Sequence, residues 1–93
     1  MVTIVTEAAL ERALVAELES LGVHGFTITD ARGKGSRGLR QSDWTHAGNI
    51  RVEVICDPAV ADRVAAHVRE KFYEHYAMIL FMQDVSVLRS NKF

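Results

Sequence analysis

Ile50-Arg51-Val52-Glu53-Val54-Ile55-Cys56-Asp57-Pro58 is the stretch on which the fold turns. Ile50, Val52 and Val54 alternate with Arg51 and Glu53, the period-two pattern of a strand with one buried face. Asp57 then offers a side-chain oxygen to the orphan N–H groups of a first helical turn. Pro58 suits the first helical position, where its missing N–H leaves no bond unmade. Val60, Val64, Val68 and Phe72 follow at four-residue intervals, so they share one helical face. A strand over 50–56 therefore runs directly into an amphipathic helix.

The same pairing of elements appears upstream. Val2–Val5 is β-prone, and Thr6 is read as the cap of a helix whose apolar stripe is Leu10, Leu14, Leu18 and Leu21. Gly22 is the expected stop, because glycine takes the left-handed conformation at a helix C-terminus without a Cβ clash. Gly25–Ala31 reads as a strand with Phe26 and Ile28 on one face and Thr27 and Thr29 on the other. Downstream, Met78–Leu88 reads as a final strand, apolar at every position from Met78 to Met82. The order strand, helix, strand, strand, helix, strand is that of a ferredoxin-like βαββαβ α+β sandwich: one antiparallel four-stranded sheet with two helices. Two helices cover one face of such a sheet. The other face is expected to be polar or covered by a partner, and the apolar last strand favours an oligomer.

Ninety-three residues make a single domain, 1–93. With 48% apolar and 25% charged residues, the composition excludes a disordered chain or a disulfide scaffold. One cysteine, Cys56, cannot form an intrachain disulfide and is read as a small buried hydrophobe. No apolar run approaches the ~20 residues of a membrane helix, and no basic segment precedes an apolar leader core, so a cytoplasmic location is expected. A net charge of −1 argues against a globally basic nucleic-acid binder.

From Arg32 to Asn49 periodicity is lost and Gly33, Gly35, Gly38 and Gly48 accumulate. Within Arg32-Gly33-Lys34-Gly35-Ser36-Arg37-Gly38-Leu39-Arg40 there are four cations and no acid. Glycines let main-chain N–H groups approach an anion, and arginine adds a planar fork for phosphate or carboxylate. The segment runs from strand to strand, so it is neither a Walker loop nor a dinucleotide fingerprint, both of which end on a helix N-terminus. Composition alone leaves two readings open, an anion-binding loop and a solvated, charged hairpin. His24, His46, His67 and His75 lack the spacing of metal ligands, Glu17 and Glu53 stand alone, and Trp44 is either a partner anchor or folded back on the domain. No nucleophile–base–orienter set is present, so the chain is read as a binding protein with neither catalytic nor metal-ligating residues.

Leu21-Gly22-Val23-His24-Gly25-Phe26-Thr27-Ile28-Thr29-Asp30 followed by Gly33-Lys34-Gly35-Ser36-Arg37 and Arg40 resembles the PII signalling superfamily, in particular its branch associated with bicarbonate transporters and carboxysomes. Lys71-Phe72-Tyr73 ahead of Tyr76-Ala77, and the ending from Arg89 to Phe93, are similar to the same branch. The resemblance implies a homotrimer with adenine nucleotides (AMP, ADP, ATP or cyclic AMP), and in some members bicarbonate, bound in clefts between subunits. It implies a long loop, here about 36–49, that changes order on binding and presents a surface to a bicarbonate transporter or a carboxysome-related protein. Carried over by position, Thr27, Thr29, Gly33, Lys34, Gly35, Ser36, Arg37, Arg40 and Arg89 form the nucleotide set. Arg37 and Arg40 are the anion or bicarbonate contacts.

Several positions depart from the family pattern. Met78 stands after Ala77 where related members often have glycine. The loop lacks the tyrosine that nitrogen-regulating relatives modify, and Gln41 is displaced from the glutamine position used there for magnesium and 2-oxoglutarate. Nitrogen sensing is therefore disfavoured, and so is a redox switch, since the chain ends at Phe93 without a cysteine-bearing tail. An RNA-recognition module shares the element order, but Ile50–Cys56 carries no aromatic platform for bases.

Overall fold

The computed structural model describes residues 1–33 and 48–89. The first strand, β1, spans Val2–Glu7, and a single 3₁₀ turn at Ala8–Leu10 leads into α1 at Glu11–Ser20. Strands β2 (Thr27–Ala31) and β3 (Asn49–Val54) precede α2 (Pro58–Phe72), and β4 spans Met78–Met82. The sheet order is β2-β3-β1-β4 with every neighbouring pair antiparallel. This is the ferredoxin-like α+β arrangement.

Alternation sorts the side chains. Val2 and Ile4 of β1 and Ile50, Val52 and Val54 of β3 are buried together with Leu10, Leu14 and Leu18 from the first helical segment and Ala61, Val64, Val68 and Phe72 of α2. Val52 lies between Ile28 and Ile4, which faces Leu80 in turn, so one apolar row crosses all four strands beneath the helices. Truncating a residue in such a row costs both the lost transfer energy and the cavity left behind.

Both helix ends follow from local chemistry. Gly22 adopts φ +84°, the left-handed angle that ends α1. Asp57 Oδ1 accepts from the Val60 N–H at 2.9 Å, with Pro58 at the first position.

Several boundaries differ from the sequence reading; the strand expected over Gly25–Ala31, for one, begins at Thr27, where pairing with Glu53 of β3 starts. Thr6 is not a helix cap: it is a buried β1 residue paired with Ile50 and Met78, and its hydroxyl donates to the Ala77 carbonyl at 2.9 Å. With partner strands on both sides, extending β1 by two residues gains ladder bonds that a helix start at Thr6 would forfeit. The last strand stops at Met82 rather than Leu88 because its one partner, β1, runs out. The Gln83 N–H reaches the Met1 carbonyl at 3.0 Å, and no strand lies beyond among the described residues. The strand expected over 50–56 ends at Val54, opposite Val2, for the same reason.

The open face is divided. Across it run the rows Thr27–Glu53–Thr3–Phe81 and Thr29–Arg51–Val5–Ile79. The β2–β3 half is polar. The β4 half is apolar and exposed, with Ile79 at 54% and Phe81 at 39% of full accessibility.

Candidate functional site

The antiparallel β2–β3 pair sends the chain out of one end of the sheet at Arg32 and Gly33 and returns it at Gly48. Arg32 and Gly33 are both exposed. Gly33 takes no left-handed angle, and a Cβ placed on it meets nothing within 4 Å. Gly48 has φ +60°, and its carbonyl accepts from the Ala8 N–H at 3.1 Å, joining it to the 3₁₀ turn that follows β1. Lys34, Gly35, Ser36, Arg37 and Arg40, and the predicted loop 36–49 apart from Gly48 and Asn49, lie outside the described residues, as do Trp44 and His46.

Thr27 and Thr29 are exposed on the open face, as their alternation predicts. Beside them on β3, Arg51 Nε donates to Glu53 Oε2 at 3.0 Å, so the cation on this face is already paired. At the same sheet end as Gly33, the turn after α2 is stitched to β1. Thr6 binds the Ala77 carbonyl, and the Ala77 N–H donates to Glu7 Oε2 at 3.0 Å. Met78 is the first residue of β4, packed half-buried against the core and aligned with Thr6, so its side chain serves the sandwich.

Arg89 is exposed and follows the irregular segment 83–87, which leaves the sheet at its other end, beyond Met82 and Val2. The strand directions thus send Gly33 and the segment leading to Arg89 out of opposite ends of the sheet.

A concavity of about 610 Å³ does lie at that far end. It is bounded by Met1, Cys56, Asp57, Asp62, Asp84 and Val85, among others, and of the predicted nucleotide residues that are described, Thr27, Thr29, Gly33 and Arg89, none lines it. Cys56 at its edge is half-buried, and burial pushes its thiol above the ordinary range. Among the described residues no group of three His, Cys, Asp or Glu side chains is placed to hold a metal.

One cluster was not legible from the sequence reading. Glu17 of α1 binds Lys71 Nζ through Oε2 and His67 Nε2 through Oε1, each at 2.6 Å, bracing α1 against α2. These bonds, the one from Lys71 foremost, hold the Glu17 carboxyl below the usual carboxylate range. The available signal was the i, i+4 spacing of His67 and Lys71, which stacks two donors on one helical face.

The family model for nitrogen regulatory protein P-II matches residues 1–92. The chain belongs to the P-II family. Among solved structures, this P-II chain is 47% identical to a PII-like signalling protein from Thermus thermophilus, over 99% of this chain and 91% of that one, with a TM-score of 0.83. It is 25% identical to CPII from Thiomonas intermedia, described as bound to ADP and bicarbonate, over 99% and 90% of the two chains, with a TM-score of 0.84. A second CPII structure, with ADP, AMP and bicarbonate, matches at 24% identity and a TM-score of 0.79 over 95% and 90%, which bears on the fold alone. The P-II description is regulatory, and no helix among the described residues is long and apolar enough to cross a membrane.

Proposed function

We propose that this chain, a single domain over 1–93, is a non-enzymatic regulatory sensor of adenine nucleotides, working in the cytoplasm as a homotrimer. Its ligand sits between subunits, held by Thr27, Thr29, Gly33, Lys34, Gly35, Ser36, Arg37, Arg40 and Arg89. Arg37 and Arg40 take the phosphates or bicarbonate. Ligand binding biases the loop over about 36–49 between states with different affinity for a target, a bicarbonate transporter or a carboxysome-related protein, so that inorganic-carbon uptake or fixation responds to adenylate charge.

The observation that carries this reading is the opposed exit of the two cationic segments. Gly33 opens the Lys34–Arg40 run at one end of the sheet, while Arg89 follows a segment leaving the other. Arginine of both segments meets one nucleotide most simply when a second copy supplies one of them. The exposed Ile79 and Phe81 on β4 offer an apolar surface for that copy, since isolated soluble domains seldom leave such side chains adjacent and uncovered. CPII, with ADP and bicarbonate, supplies the ligand chemistry by similarity.

Calorimetric titration of AMP, ADP, ATP and cyclic AMP, each with and without bicarbonate, tests the reading. Saturable binding of at least one nucleotide is expected. No heat from any of the four contradicts it. Arg37→Ala is expected to weaken phosphorylated ligands by about 1.5–3 kcal/mol, the size of a lost charged hydrogen bond. Unchanged affinity removes Arg37 from the site. The aromatic-free open face of β3, with Asn49, Arg51 and Glu53, gives the RNA-module alternative no central stacking platform.

A further inference from the structure

The concavity of about 610 Å³ lies between the first turns of α2 and the end of β4. Alternation along β4 turns Met82 to the same side as Leu80, which packs on the core beneath the helices, whereas Ile79 and Phe81 turn to the open face. Met82 is nevertheless 49% exposed, and Val85 beyond it 43%. This apolar surface is therefore distinct from the one offered to a second copy.

Its walls come from Pro58, Met82, Val85 and Val87, and none of its lining side chains is a Lys, Arg or His. Three carboxylates stand on it. Asp57 is committed to the cap of α2, where its Oδ1 accepts from the Val60 N–H. Asp62 and Asp84 are exposed and form no ion pair with another described residue. The Met1 ammonium at the edge is tied to the Gln83 carbonyl at 2.7 Å. Beyond Gln83 the chain has left the ladder, and no main-chain hydrogen bond joins residues 84–87 to the other described residues.

An occupant of such a groove has to bring apolar bulk for the walls, positive charge for Asp62 and Asp84, and main-chain donors and acceptors for residues 84–87. A polypeptide segment brings all three. Nucleic acid and an anionic lipid surface carry the wrong sign of charge. We propose that this concavity is a docking site for a segment of a partner protein in which lysine or arginine alternates with apolar or aromatic side chains. The walls hold the apolar side chains, and the two free carboxylates select the cationic ones and repel acidic segments. The site faces away from the end of the sheet where the chain departs at Gly33, and docking there needs no bound nucleotide.

The test titrates the isotope-labelled protein with the peptide acetyl-Arg-Leu-Lys-Phe-amide and with its charge-reversed counterpart acetyl-Glu-Leu-Glu-Phe-amide, following backbone amide resonances. Saturable shifts confined to residues 55–62 and 82–87 are expected with the first peptide and none with the second. Asp62→Asn combined with Asp84→Asn, shown folded by a thermal melt, should weaken the first peptide by about two- to fivefold for each carboxylate removed, the range of a solvent-screened ion pair. High salt should bring wild type towards the double variant. Shifts that map elsewhere, an equal response to both peptides, or unchanged affinity in the double variant overturns the proposal. No shift at all overturns it as well, whether residues 90–93 or a second copy covers the surface. Each of these results leaves the nucleotide titrations untouched, so failure here and failure of the proposed function are told apart.

Discussion

Gly33 and Glu17 give opposite lessons about single residues. Gly33 has no left-handed φ, and a Cβ built on it meets none of the described residues within 4 Å, so nothing among those residues demands glycine there. If glycine is kept for the close approach of a ligand, Gly33→Ala should melt at the wild-type temperature or slightly above it, through reduced unfolded-state entropy worth about 0.4–1 kcal/mol, and should weaken ADP binding. Unaltered ADP binding would take Gly33 out of the site. Glu17 does the reverse, serving the fold by joining α1 to Lys71 and His67 of α2. Because its folded pKa lies below its unfolded one, its contribution is present above the usual carboxylate range near ~4.3 and is lost as pH falls through the lowered value. Glu17→Gln should therefore melt at a lower temperature than wild type at pH 7, with the two curves converging in acid. Curves that stay equally separated at every pH would contradict this assignment.

Among elements, α2 was the most legible. Asp57-Pro58 fixed its start by hydrogen-bond chemistry that needs no tertiary context, and its four-residue apolar spacing fixed its buried face. Asp57→Ala is expected to lower stability by about 1 kcal/mol in urea unfolding with an unchanged slope. A negligible change would mean that Pro58 and packing alone set the helix start. The strands were legible in type and facing but not in extent. Thr6 and residues 83–88 were misjudged because strand length depends on whether a neighbour is present to pair, and composition does not record neighbours. For the candidate site, four cations among glycines leave an anion-binding loop and a solvated, charged hairpin both open, and Lys34–Arg40 lie outside the described residues. The Glu7–Ala77 bond was not legible, since it joins positions that only the fold brings together.

For the molecule as a whole, a sheet with one face under two helices and the other half-apolar is an incomplete object. Ile79 and Phe81 stand exposed beside Val5 and Thr3 of β1, with the polar β2–β3 half on the far side of β1. Burial of such aromatic and aliphatic side chains in a subunit contact is worth roughly 1.5–3 kcal/mol each when complete. Sedimentation equilibrium should give a three-chain mass for wild type, and Ile79→Lys with Phe81→Glu should shift it towards a single chain without loss of helix signal. A wild-type monomer at micromolar concentration would contradict the trimer. The central claim, that the cationic loop of one subunit and the Arg89 segment of another close on one nucleotide, is tested most directly by a crystal structure of the protein grown with ADP. The account predicts ADP between two copies, its phosphates against Arg37 or Arg40 of one and within reach of Arg89 of the other. ADP held wholly within one subunit, or seated in the concavity beside Asp57 and Asp84, would contradict it.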